Sequence, residues 1–167
     1  MHRLVLRSEL TVIVSYDEIV KICLSYARRN KEFGVTGFLI ECGGVFLCSL
    51  EGPPTALNEA LYSIESDEKQ RNTQILFYNE TASNRLFGLW AMNMMFLDDP
   101  TLWQRAIGTL KAYDGFYTKS YDAAFAIGVL ILSYRHACEV SHLNAMPSEE
   151  HCGKLPLPSQ ILRDSEL

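Results

Sequence analysis

The stretch Asn30–Gly52 reads NKEFGVTGFLIECGGVFLCSLEG, and its punctuation decides the fold. Val35–Glu41 and Val45–Leu50 are apolar runs joined by Cys42–Gly43–Gly44. A Gly-Gly step between two such runs predicts a β-hairpin, because glycine reaches positive φ without a steric penalty. Gly34, just before the first run, suits the left-handed position that ends a helix. Gly52–Pro53–Pro54 breaks the second run, since proline removes a ladder donor.

Upstream, Ser15 followed by Glu18 is a capping box, and Val14 with Ile19 is the matching hydrophobic staple. Ile19, Ile22, Cys23 and Tyr26 recur at helical spacing, so a helix is expected to end near Phe33. Residues 2–8 alternate: Leu4, Leu6 and Ser8 face one way, Arg3, Val5 and Arg7 the other, which predicts a strand with two unlike faces. Residues 9–14 fit either a strand continuation or an extended loop. Downstream, Leu57, Ala60, Leu61 and Ile64 mark a second amphipathic helix. A polar connection, Asp67–Asn72, leads to a strand over Thr73–Tyr78. Residues 79–90 read as loop or short helix, and Ala91–Leu97 as a fifth strand.

The order β-α-β-β-α-β plus one strand predicts an α+β, ferredoxin-like fold with two helices on one sheet face. The other face needs a cover. Asp99–Pro100 opens a helix with the stripe Leu102, Trp103, Ala106, Ile107 and Leu110. A further helix over Ser120–Val140 is apolar almost all round, which predicts burial on several sides. The expected organisation is a sheet domain over 1–98, a helical extension over 99–144 and a polar, proline-containing tail over 145–167.

The 167 residues are 48% hydrophobic and 21% charged, enough for one packed core and too apolar for wholesale disorder. The net charge of −5 points away from nucleic acid as a partner. The five cysteines are odd in number and form no CxxC pair, as expected of reduced thiols in an intracellular, by default cytoplasmic, protein. The apolar start is too short for a signal peptide. The longest apolar stretch, Ala123–Leu132, falls well short of the roughly 20 residues of a membrane span. His136–Ala137–Cys138 and His151–Cys152 lack the paired spacing of zinc ligands. No GxSxG, HExxH, GxxxxGK[ST] or GxGxxG occurs, and no enzymatic activity is expected.

In order and spacing, TG (Thr36–Gly37), FLCSLEG (Phe46–Gly52), Asp67–Gln70 and RLFGLWAM (Arg85–Met92) resemble the BLUF family of flavin-binding blue-light sensors. The resemblance covers about residues 2–97. It implies FAD between the two helices of a ferredoxin-like sheet, with C-terminal helices on the opposite face. It also implies a photoactive tyrosine on the first strand and a glutamine on the third, and those two positions are Leu6 and Cys48. Asn30 matches the asparagine at the flavin edge. Arg29 and the Asp67–Glu68–Lys69–Gln70 stretch stand where the resemblance puts polar and phosphate contacts.

Leucine offers no phenol, and a thiol is a weak hydrogen-bonding group. The expectation is therefore a BLUF-like module with degenerate photochemistry and no cofactor. It would act as a protein-binding or scaffold subunit of a larger assembly or homo-oligomer, through its C-terminal helices and tail. The alternative is an FAD-binding blue-light sensor that signals through those helices, with Asn30, Arg29, Lys69 and Gln70 as cofactor contacts. Thr36–Gly37, Leu50–Glu51–Gly52, Trp90 and Met92 are expected to be structural.

Overall fold

The structure is a computed structural model and describes residues 1–81, 84–97 and 112–140. Its elements are β1 (His2–Leu10), α1 (Tyr16–Glu32), β2 (Thr36–Cys42), β3 (Val45–Gly52), α2 (Pro54–Glu65), β4 (Gln70–Glu80), β5 (Asn93–Phe96), α3 (Ala112–Lys119) and α4 (Ala123–Val140). The strands form one sheet in the order β4-β1-β3-β2-β5. All neighbours are antiparallel except β2 and β5. This is the ferredoxin-like arrangement, with one added parallel strand at the edge.

Local chemistry accounts for the element ends. Ser15 caps α1 in an extended conformation; its hydroxyl accepts from the Glu18 N–H, and the Ser15 N–H donates to Glu18 Oε2 at 3.0 Å. Val14 packs against the core beside Ile19. The helix stops at Phe33 before Gly34, whose φ is +65°. Gly43 and Gly44 have φ of +58° and +83°, the conformation a two-residue hairpin turn demands. The Gly44 N–H donates to Glu41 Oε1 at 2.7 Å.

Several elements differ from expectation: α3 (Ala112–Lys119) is a helix the sequence pattern does not predict, α4 starts at Ala123 rather than Ser120, and β4 and β5 have other bounds. β4 starts at Gln70 rather than Thr73, because β1 continues to Leu10 and pairs Glu9 with Arg71 and Leu10 with Gln70. A register shift between Arg7 and Glu9 absorbs the extra residues, and Asn72 takes the left-handed conformation beside it (φ +51°). β5 spans Asn93–Phe96 rather than residues 91–97; its register with β2 runs from Phe38–Asn93 to Glu41–Phe96.

The alternation of β1 separates two cores. Leu4 and Leu6 face α1 and α2, where Ile19, Ile22, Cys23, Tyr26, Leu57 and Ile64 pack with them. Val5 faces the opposite side with Phe38, Ile40 and Leu47, covered by Phe116 of α3 and by Ala126, Val129, Leu130 and Ala137 of α4. Phe38 stacks on Phe87, and Tyr134 of α4 meets both rings edge-on at 5.6 Å. Burial of α4 is confined to one side: Leu132 is 38% exposed, as a helix lying on a single sheet face requires. The helix expected from Asp99 to Leu110 and the tail after Ala145 lie outside the described residues. Among the described residues no helix is long and apolar enough to cross a membrane.

Gly37 lies mid-strand where a Cβ would stand 2.7 Å from Leu50 Cδ2 and 3.1 Å from the Ser49 carbonyl oxygen. Gly37→Ala should therefore overpack the sheet and lower unfolding free energy by about 1–3 kcal/mol. A urea titration checks this, and an unchanged midpoint would show that Leu50 yields freely.

Candidate cofactor cleft

Leu6 and Cys48 are direct partners across β1 and β3, and their side chains share the sheet face under α1 and α2. They lie at the base of the interior between the sheet and the two helices, the candidate cleft, which side chains fill in this structure. Leu6 is 1% and Cys48 3% exposed. Burial pushes the Cys48 thiol well above its ordinary range, and the neighbouring Cys23 adds to this. Burial also pushes Cys23 up to about 12. Both are protonated thiols at neutral pH, without nucleophilic character.

A polar network crosses the cleft. The Tyr26 hydroxyl, on α1, donates to Asp67 Oδ2 at 3.1 Å and accepts from the Gln70 side-chain amide at the start of β4. Ser8 on β1 donates to Gln70 Oε1 at 2.6 Å. Burial, then the charge of Asp67, hold the Tyr26 phenol far above its usual pKa. The Arg29 guanidinium lies over the Tyr26 ring, 5.4 Å from its centroid. Lys69 is exposed next to Gln70, and neither cation takes part in an ion pair among the described residues. Asn30 is buried and donates its side-chain amide to the Ala91 carbonyl at 2.8 Å.

The structure thus brings Arg29 and Gln70 to Tyr26, with the exposed Lys69 next to Gln70 in the chain. Asn30 lies one residue beyond Arg29, at the last turn of α1, turned toward Ala91. The remaining motif residues tie elements together. Arg85 donates to Thr36 Oγ1 and the Glu51 carbonyl, both at 2.6 Å, and to the Gly34 carbonyl at 2.9 Å. The Glu51 carboxylate accepts from Arg3 and from the Leu86 N–H. Trp90 and Met92 are buried.

Sequence reasoning missed two groups. One is Tyr26, read only as an apolar helix position, although a tyrosine in a core stripe signals a hydroxyl in need of a partner. The other is Arg7 with Glu9, Tyr117, Ser120 and Tyr121 on the opposite face. An arginine in register with Val5 was the available signal. Two cavities, of about 750 and 470 Å³, open away from the cleft: one beside Leu10, Ile19 and Val45, the other between Lys31, Val35 and Arg85.

Residues 1–93 match the family described as BLUF, sensors of blue light using FAD. The chain belongs to the BLUF family. Among solved structures it is similar to a bacterial light-regulated adenylyl cyclase, with 26% identity, a TM-score of 0.63, and 72% of this chain and 34% of that protein covered. It is also similar to Klebsiella pneumoniae BlrP1, determined with FMN and cyclic diGMP, with 26% identity, a TM-score of 0.52, and coverage of 57% and 26%. The chain thus spans about a third or less of the length of these two proteins. BlrB, a BLUF protein in its dark state, shares the fold at 22% identity and a TM-score of 0.61, with 79% of this chain and 95% of that one covered. No curated protein sequence matches the chain.

Family membership corrects the expectation of a module without cofactor, because the family is defined by its use of FAD. The donor set of the cleft fits that group. Asn30 and Gln70 are amides of the kind that suits a polar ring edge, each bonded within the protein in this structure, and Arg29 and Lys69, in no ion pair among the described residues, are cations of the kind that suits a diphosphate. The floor is different: Leu6 and Cys48 supply neither a phenol nor a carboxamide.

Proposed function

We propose that this chain is a flavin-binding module of the BLUF sensor family, without enzymatic activity of its own, whose two photoactive positions are replaced. Its output is contact: the helical extension beyond the sheet domain over 1–98 engages other subunits or a second copy. The observation behind this reading is the composition of the cleft, which keeps polar and cationic groups for a dinucleotide around a floor made of Leu6 and Cys48. Asn30 and Gln70 would meet the ring edge, and Arg29 and Lys69 the phosphates. FAD when bound supplies absorption of blue light; the residues of this chain bind it, orient it and exclude water from it.

The purified chain should carry flavin, seen as a blue-absorbing band and released on denaturation. Replacing Arg29 and Lys69 together by alanine should weaken FAD binding on the order of tenfold or more, as loss of charge-assisted hydrogen bonds does. Added salt should narrow the gap between the variant and the parent. Equal affinity of the two proteins for FAD at low salt would remove both residues from the site.

A further inference from the structure

We propose that the groove beside the end of α1 is the seat of this chain's own tail, with residues 161–167 as the docked segment. The inference stands apart from the flavin reading. The groove, of about 470 Å³, is lined by Lys31, Val35, Arg85, Leu89 and Ala91 among others. Val35 and Ala91 are buried, whereas Leu89 is 49% exposed, and Phe33, next to the groove residue Gly34, is 45% exposed. Arg85 is fixed in place by donating to Thr36 Oγ1 and to the carbonyls of Glu51 and Gly34. All three acceptors are neutral. Neither Arg85 nor Lys31 belongs to an ion pair among the described residues. Two cations over an apolar lining suit a segment that carries carboxylates and aliphatic side chains together.

The course of α4 points to the source of that segment. Tyr134 packs edge-on against Phe87 and Trp90, and a Cβ added at Gly88 would stand 2.7 Å from its hydroxyl. These residues bracket Leu89, so α4 brings the chain past the rim of the groove before it ends at Val140. In the sequence that follows, ILRDSEL (161–167) is the one stretch where aliphatic residues and carboxylates adjoin. Glu149 and Glu150 have Pro147, Ser148, His151 and Cys152 as neighbours, and the run Leu155, Pro156, Leu157, Pro158 holds no acid. Reach is not limiting, because the 20 residues 141–160 can span up to about 65–70 Å. A tethered segment is present at an effective concentration on the order of millimolar, so weak contacts suffice to seat it. Asp164 and Glu166 supply the charges that face Lys31 and Arg85, and Ile161 and Leu162 the apolar contact with Leu89.

The test uses the full chain and a water-soluble carbodiimide, which activates a carboxylate and joins it to an amine as an amide with loss of water. Peptide mass spectrometry then maps the joined residues. Asp164 or Glu166 should be joined to Lys31 at least about tenfold more than to the exposed Lys21 and Lys69. In an equimolar mixture of ordinary and isotope-labelled chains, the product should link residues of one label only. An excess of the synthetic peptide ILRDSEL should suppress it, and Leu89→Ser should lower its yield. Hydrogen exchange gives a second readout. Asp164→Asn with Glu166→Gln removes two exposed pairs, and should speed exchange over residues 33–36 and 85–91 about threefold or more without moving the urea midpoint. Product spread evenly over the three lysines, with exchange unchanged in the double variant, overturns the docking. Product that joins chains of different label overturns docking of the chain's own tail and gives the groove to the tail of a second copy.

Discussion

Replacing Arg7 by methionine is expected to lower the unfolding free energy by about 3–5 kcal/mol, the range for removing one partner of a buried ion pair. Arg7 is 0% exposed, on the face of β1 opposite the cleft. Its Nε donates to Ser120 Oγ at 2.8 Å and one terminal nitrogen donates to Glu9 Oε1 at 2.7 Å. Its guanidinium lies 3.9 Å from the Tyr121 ring centroid and 4.9 Å from that of Tyr117, a desolvated cation–π contact. Methionine fills part of the volume but leaves the Glu9 carboxylate, itself 7% exposed, with neutral donors, Asn72 and Tyr117 each at 3.1 Å, and with the exposed Arg71 guanidinium at 3.7 Å as its remaining cation.

The double variant Arg7→Met with Glu9→Gln should recover much of the loss, because it removes both charges together. A cost below about 1 kcal/mol for Arg7→Met would show that water reaches Glu9 and that the clamp contributes little.

The pH dependence has a definite sign. Burial pushes the Glu9 carboxyl up, but hydrogen bonds from Arg7, Asn72 and Tyr117 and the charge of Arg7 outweigh it, so its pKa lies below the ordinary 4.5. A carboxyl with a lowered folded-state pKa stabilises the fold above its unfolded value and loses that contribution as pH falls through the lowered one. The parent should thus lose stability on acidification below about pH 4.5. Arg7→Met should show a flatter acid limb. Because Ser120, Tyr117 and Tyr121 lie at the joint of α3 and α4, hydrogen exchange in the same variant should rise over residues 115–125 before the sheet opens.

The second large effect concerns the cleft floor. FAD-loaded protein carrying Leu6→Tyr and Cys48→Gln in the Tyr26→Ser background is expected to show a reversible, light-induced shift of the flavin band. The unsubstituted floor should show none. Leu6 and Cys48 are direct cross-strand partners, so Cβ atoms there stand about 4.5–5.5 Å apart on one face. A phenol and a carboxamide at those positions come within hydrogen-bonding reach of each other. Tyr26→Ser is included because Leu6 and Cys48 already pack against Cys23 and Tyr26, and a second ring in a filled interior overpacks it. Either single floor substitution should stay silent. A flavin-loaded triple variant with identical light and dark spectra would show that the missing pair is not what separates this chain from a light-responsive one.

Short-range chemistry was legible in the residues themselves. The capping box Ser15–Glu18, the Gly43–Gly44 turn, the helix stop at Gly34 and the alternation of Leu4, Leu6 and Ser8 against Val5 and Arg7 each involve neighbours within a few positions. Their physics is complete before the chain folds. From them follow the element order, the ferredoxin-like sheet and the two unlike faces of β1. The replaced positions Leu6 and Cys48 were equally plain, through motif spacing.

Tertiary structure alone decided the rest. It paired the continuation of β1 with an early β4, and it turned Asn30 toward the Ala91 carbonyl. It joined Tyr26 to Gln70 across 44 residues and Arg7 to Ser120 across 113. The reason is physical: a buried hydroxyl or guanidinium must find partners, yet nothing in its own neighbourhood says which distant groups the closed sheet will deliver. A sequence displays that need, and only packing names what meets it.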